Sequence, residues 1–347
     1  MKRLFLRAGS VAGILYLSGI LSPSTAWSAA GTEGASFLEI PVGAGPAALG
    51  SAYSALATDA YAPTWNPAGL GFVQSLQLAT QYLSYLQAIN DEYVSLVYPL
   101  GSGKALGFSA QYLGTGAIPG TEVGGTPTGN FSSDYGVYAL AYGQTLTDRL
   151  SLGLTAKLIN AQISDVSANA YAVDFGGLYK YGDRFTLAAT LTNLGTQLNF
   201  LSGGDSLPLE FHLAGACRLS PQWLATVEAV YPQAGPASFR IGGQWRPLEA
   251  VSLRVGYRTD NLQELSPLAG FSTGIGISVW GQELAYAWVP LGDLGDTQYI
   301  SLVFKFGQSV SQGNLSPPPP PPPSPLPPRM SVPPPSLESG APEAPRW

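Results

Sequence analysis

The chain has 347 residues, enough for one large domain or two ordinary ones. Only 11% of it is charged while 45% is hydrophobic; an ordinary soluble domain carries about 25% charge, so this surface is not built wholly for water. The net charge of −6 is modest, and no Lys/Arg cluster follows the extreme N-terminus, which excludes nucleic acid as a partner.

Residues 1–30 have the parts of a secretory signal peptide. Lys2, Arg3 and Arg7 give a positive start, Val11 to Leu21 an apolar stretch, and Ala26, Ser28, Ala29 and Ala30 a small-residue cleavage region. A membrane anchor is the alternative, but the apolar run is about half the ~20 residues that span a bilayer. Cys217 is the only cysteine, so neither a disulfide framework nor a lipoprotein cysteine is available.

Residues 31–71 read in two parts. Ala47 to Ala57 is rich in Ala and Leu, and the pattern predicts a short helix opened by Pro46 in its first turn. Pro63 then stops the chain and Asn66-Pro67-Ala68-Gly69 turns it.

From residue 72 to 307 the hydrophobic period is two. Leu150, Leu152, Leu154 and Leu158 share one face and Ser151, Gly153, Thr155 and Lys157 the other; likewise Ile300, Leu302, Phe304 and Phe306 oppose Tyr299, Ser301, Val303 and Lys305. About fourteen such runs begin near residues 75, 92, 104, 132, 150, 169, 184, 208, 222, 238, 250, 269, 282 and 297. Tight polar turns (Gly101–Lys104, Thr147–Arg149, Gly182–Arg184, Ser220–Gln222, Arg246–Glu249, Gly281–Gln282) alternate with longer connections at 84–90, 114–130, 164–168, 196–206, 232–237, 260–267 and 290–296. A soluble β-sandwich has no reason to put every second loop on the short side, whereas a bacterial outer-membrane barrel has short periplasmic turns, long outer loops and an even strand number. The expected fold is therefore all-β: a transmembrane antiparallel barrel of about 14 strands, in contact with outer-membrane lipid, with both termini periplasmic. Tyr231, Trp245, Trp280, Trp288, Tyr299 and Phe306 near strand ends suit interfacial girdles.

If the apolar faces meet lipid, the other faces put Lys157, Arg218, Arg240, Arg254, Arg258 and Lys305 in the lumen, together with Asp174, Lys180, Glu228 and Arg246. These residues form either a pathway favouring anionic head groups or a salt-bridged interior. Residues 308–347 carry half of the 30 prolines, including Pro317 to Pro323, and read as a disordered polyproline II tail. Such a tail is a spacer, or a ligand for a periplasmic or cell-wall partner.

The residues give no sign of an enzyme. His212 is the only histidine and reads as a lone polar lumen residue; no G-x-S-x-G unit marks a serine beside it. No Cys/His cluster or calcium-loop spacing points to a metal, and no phosphate-cradling loop to a nucleotide, so no cofactor is expected.

The stretch 43–73 resembles the N-terminal signature of the PorV/PorQ family of outer-membrane proteins, relatives of the FadL long-chain fatty-acid transporters. The matching positions are Ala48-Leu49-Gly50-Ser51-Ala52-Tyr53, Asp59-Ala60 and Trp65-Asn66-Pro67-Ala68-Gly69-Leu70. The proline tail lies outside the family pattern. The resemblance implies that the N-terminal segment folds into the lumen as a plug, with Asp59, Trp65, Asn66, Pro67, Ala68 and Gly69 as its motif. It further implies a role in transport, as an accessory or cargo carrier of type IX-like protein secretion. The alternatives are a FadL-like channel for hydrophobic or amphipathic small molecules, or a structural envelope anchor. The implied partners are accordingly secretion components, exported cargo or hydrophobic solutes.

Overall fold

A computed structural model describes residues 33–86, 89–201, 203–260 and 267–307; the expected signal peptide and proline-rich tail lie outside the described residues. Fourteen strands close one antiparallel barrel. The first half is β1 (Leu76–Ser84), β2 (Asn90–Gly101), β3 (Lys104–Gly114), β6 (Ser133–Thr145), β7 (Leu150–Ile163), β8 (Val166–Tyr181) and β9 (Phe185–Gly195). The second half is β12 (Glu210–Arg218), β13 (Trp223–Pro232), β14 (Ser238–Leu248), β15 (Val251–Arg258), β16 (Phe271–Val279), β17 (Gln282–Pro290) and β18 (Asp296–Phe306). Two hairpins stand apart from the wall: β4 (Ile118–Thr121) with β5 (Pro127–Phe131), and β10 (Leu198–Phe200) with β11 (Gly203–Asp205). β1 pairs with β18 from Leu76↔Phe306 to Ser84↔Gln298, so the sheet has no edge.

Each expected strand is present and starts within three residues of its expected place. The two faces separate as the period-two pattern requires. Leu152, Leu154 and Leu158 are exposed on the outside while Ser151 and Thr155 on the same strand are fully buried. The outward residues are mostly Leu, Ile, Val, Phe, Tyr and Trp. A closed sheet with that surface leaves no backbone group unpaired in hydrocarbon, which makes this a membrane-spanning barrel. No helix among the described residues is long and apolar enough to cross a membrane.

Three local expectations are corrected. The connection at 164–168 is a two-residue turn, because Ser164 takes a left-handed φ of 56° and β8 already begins at Val166. The helix expected over Ala47–Ala57 is instead the five-residue Ala44–Ala48, since the left-handed Gly50 (φ 64°) and Ser51 (φ 63°) end it. Tyr299 belongs to no girdle: it is 2% exposed and points inward with Ser301 and Val303. The other five expected girdle aromatics are exposed outward, and Trp245 stacks on Trp223 with centroids 5.6 Å apart.

Candidate functional site

The N-terminal segment crosses the barrel interior and is docked by its backbone. Asn66 is fully buried; its Nδ2 donates to the carbonyls of Ser54 (3.0 Å) and Gly177 (3.3 Å), and its Oδ1 accepts from the Ala68 N–H (3.1 Å). Wall hydroxyls reach in to meet other carbonyls: Ser151 donates to Ala68 (2.6 Å), Thr155 to Pro63 (2.9 Å) and Thr226 to Ala52 (2.9 Å). Trp65 donates from Nε1 to the Val42 carbonyl (3.0 Å) and meets Tyr53 edge-on. The Tyr53 hydroxyl donates to Asp59, which also caps the Tyr61 N–H (2.9 Å); burial raises the Asp59 pKa against these bonds. Gly69 has no room for a side chain, because a Cβ there would lie 1.5 Å from the Ala57 oxygen.

Inward glycines in the wall make this close approach possible. Gly143, Gly153 and Gly176 are register partners on β6, β7 and β8. A Cβ on Gly153 would lie 2.2 Å from the Pro67 carbonyl carbon, and one on Gly176 would lie 2.2 Å from the Asn66 side-chain oxygen. Across the barrel, a Cβ on Gly256 would sit 1.9 Å from the Gly50 nitrogen. The segment is thus fitted to a backbone-on-backbone groove, and Lys180 lies 3.5 Å over the Phe72 ring at its far end.

Above this packing, at the long-loop end, the interior opens into a cavity of about 780 Å³. A separate space of about 430 Å³ lies at the short-turn end around Phe72 and Gly101–Lys104, and no residue lines both. The upper cavity has an apolar wall that includes Phe37, Ile40, Ile89, Leu113, Tyr135 and Phe200. Phe37 and Tyr135 pack with centroids 5.5 Å apart. The β10–β11 hairpin contributes Phe200 and the nearly fully buried Leu198, fastened by Asn199 and Gly204 pairing and by a bridge from Glu33 to Ser206. The opposite wall is charged. Arg240 and Arg258 both hold Asp260, through Arg240 Nη2 (3.0 Å) and Arg258 Nη2 (2.8 Å), and the two guanidinium groups hold the Asp260 carboxyl well below the usual carboxylate range.

The six expected lumen cations all lie on inward-facing positions, but they do not form one site. Arg240 and Arg258 border the cavity. Lys157 is buried in an ion pair with Asp174 (2.6 Å) and donates to Asn193 (2.8 Å), beside a bulge where β8 and β9 slip register and Asn193 turns left-handed (φ 62°). Arg254 binds Glu283 (2.7 Å) and Gln244 (2.8 Å) lower down, and Arg218 and Lys305 lie at the short-turn ends of their strands. Of the two readings of these residues, a salt-bridged interior fits better than an open basic pathway.

His212 is not a lone residue, which corrects the expectation. Its Nδ1 lies 2.8 Å from Glu228 and its Nε2 3.1 Å from Glu210. Glu228 in turn accepts from the Ser54 N–H (3.0 Å) and hydroxyl (2.7 Å). The serine therefore bonds the carboxylate and not the imidazole, an arrangement that ties the N-terminal segment to the wall and does not activate a nucleophile. The same-face spacing of Glu210 and His212 was legible in the sequence; Glu228 joins them only through the register of β12 and β13. Among the described residues no group of three or more His, Cys, Asp or Glu is placed to hold a metal ion.

No protein-family model matches the sequence, and no curated protein matches it. Solved structures do match in fold. The Pseudomonas putida toluene transporter TodX aligns with a TM-score of 0.54 at 14% identity, over 75% of this chain and 96% of that one. The CymD monoaromatic hydrocarbon channel gives 0.53 at 13% identity over 76% and 96%, and a Pseudomonas aeruginosa FadL homologue 0.51 at 14% over 75% and 96%. The chain has the FadL-type barrel fold. At these identities the likeness is one of fold.

Proposed function

We propose that this FadL-type barrel is an outer-membrane channel that admits hydrophobic or amphipathic small molecules through its long-loop mouth. The observation that carries the reading is the cavity of about 780 Å³, half apolar and aromatic, set over a tightly docked N-terminal segment. That size suits a small-molecule ligand, for which pockets run roughly 300–1,000 Å³. TodX, a toluene transporter, and CymD, a monoaromatic hydrocarbon channel, point the same way. Two hairpins and a mouth cavity supply an outer vestibule, which favours the small-molecule channel over the accessory role in protein export.

In this reading the long loops face outward and the short turns face the periplasm. β1 begins and β18 ends at the short-turn end, which supports periplasmic termini and the reading of residues 1–30 as the export signal. The N-terminal segment acts as a plug, with Asn66-Pro67-Ala68-Gly69 as its fixed joint. The test is uptake of small aromatic compounds by a strain lacking the chain, with and without a plasmid copy. Slower uptake restored by the plasmid supports the channel, whereas wild-type rates in the deletion strain exclude it.

A further inference from the structure

We infer that the solute taken at this mouth is a cationic amphiphile: an apolar or aromatic body carrying an amine or quaternary ammonium head. The inference rests on the channel reading above and specifies its substrate class.

The charges at the cavity are unbalanced. Among the described residues, Glu33, Glu39, Asp205, Glu210 and Asp260 line it against Arg240 and Arg258, with His212 behind the lining bonded to Glu210. Asp260 bonds both guanidinium groups and offsets one of their two charges, and the remaining lining acids still outnumber the cations. The excess is therefore negative, and it lies on the N-terminal segment, β11 and β12 around the apolar wall. Glu39 feels this directly. Burial, then the nearby Glu210 and Glu33, push its pKa up to about 7 in spite of Arg258 and Arg240. A bound cation would relieve that repulsion.

A metal ion is the wrong occupant, because these carboxylates do not converge closely enough to ligate one. An organic cation needs no such convergence. Its spread charge can be met by separated carboxylates and by the ring faces of Phe37, Tyr85, Tyr135, Phe200 and Tyr299, all of which line the cavity. Its apolar body finds Ile40, Ile89 and Leu113.

The field of the whole barrel has the same sense. At the long-loop end Glu122, Asp134, Asp165, Asp205, Asp293 and Asp296 stand with Arg240 and Arg258, while at the short-turn end Lys104, Arg149, Arg184, Arg218, Arg246 and Lys305 outnumber Asp148, Asp183, Glu249 and Glu283. A mouth of one sign concentrates ligands of the other sign and repels its own, an effect that salt screens. Fatty-acid carboxylates are accordingly disfavoured here.

The test uses the mature protein in nanodiscs of zwitterionic lipid, with three probes titrated calorimetrically at pH 8 and low salt. They are 4-phenylbutyl-trimethylammonium, 5-phenylpentanoate and butylbenzene. The cation should bind at least about tenfold tighter than the carboxylate, with the gap narrowing as salt rises. The double variant Glu33→Gln/Glu39→Gln should lose most of that gap while still binding butylbenzene. Heat-modifiable migration of the variant on a gel checks that its barrel is folded. A carboxylate that binds as tightly as the cation overturns the inference, as does butylbenzene matching the cation; in both cases the channel reading survives. Failure of all three probes to bind removes the channel reading itself.

Discussion

Replacing Asn66 by Ala should release the N-terminal segment from the wall and leave the barrel closed. The side chain makes three hydrogen bonds, to the Ser54 and Gly177 carbonyls and from the Ala68 N–H, of which that to Gly177 is partly buried and the others fully. At about 1 kcal/mol net for each, the loss is about 3 kcal/mol. Ser54 is 1% exposed, so water cannot easily replace the lost partner of its carbonyl. A loss of that size raises the open population of the segment on the order of a hundredfold. None of those bonds belongs to the strand ladder, so the barrel itself should keep its closure. Hydrogen exchange read by mass spectrometry should accelerate across residues 44–73 and stay unchanged in β1 to β18. Heat-modifiable migration should be retained. Unaltered exchange in 44–73 would refute the argument, because the motif would then be dispensable for docking. Loss of heat-modifiable migration would refute it in another way, by making the joint a requirement for assembly.

Gly153→Val should displace the same segment by a different route, since its side chain would enter the space of the Pro67 and Ala68 backbone. The expected cost is about 1–3 kcal/mol of overpacking, seen as faster exchange around residues 63–71 with little change in strand pairing. Lys157→Met alone leaves Asp174 buried and uncompensated, and should lower the barrel's heat-modification midpoint by the equivalent of about 3–5 kcal/mol; adding Asp174→Leu should recover much of the loss. Glu39 supplies a pH signature. Its proton, held up to about pH 7 in the folded chain but released near 4.5 when unfolded, makes stability fall as pH rises from 4.5 to 7. Binding of 4-phenylbutyl-trimethylammonium should strengthen over the upper part of that window as Glu39 ionises, a slope that Glu39→Gln should flatten in a calorimetric pH series.

The wall was legible because its period is two and its loops alternate in length, both of which are local properties. The turn at Ser164 was misplaced because Val166 to Ala170 continue the strand beyond a residue in the left-handed region, and nothing in the composition of 164–168 marks that. The motif around Asn66 was visible as a rigid joint. Its partners were not, because Gly143, Gly153 and Gly176 become one groove only when three strands fall into register. The charged residues were assigned to the correct face, yet their meaning changed with the contacts. Arg240 and Arg258 read as a basic lumen in sequence, and Asp260, which bonds both, sits in a loop that strand periodicity does not place. His212 similarly acquires its two carboxylates from its own strand and the next one.

Capture of a small amphipathic or hydrophobic solute in the mouth cavity is tested by photolabelling the mature barrel in nanodiscs with an aromatic amine bearing a diazirine, followed by mass-spectrometric mapping. Adducts are expected on cavity residues such as Phe37, Tyr135 and Phe200, lost when unlabelled amine is added in excess. Adducts confined to the outward lipid-facing residues, with no competition, would contradict it.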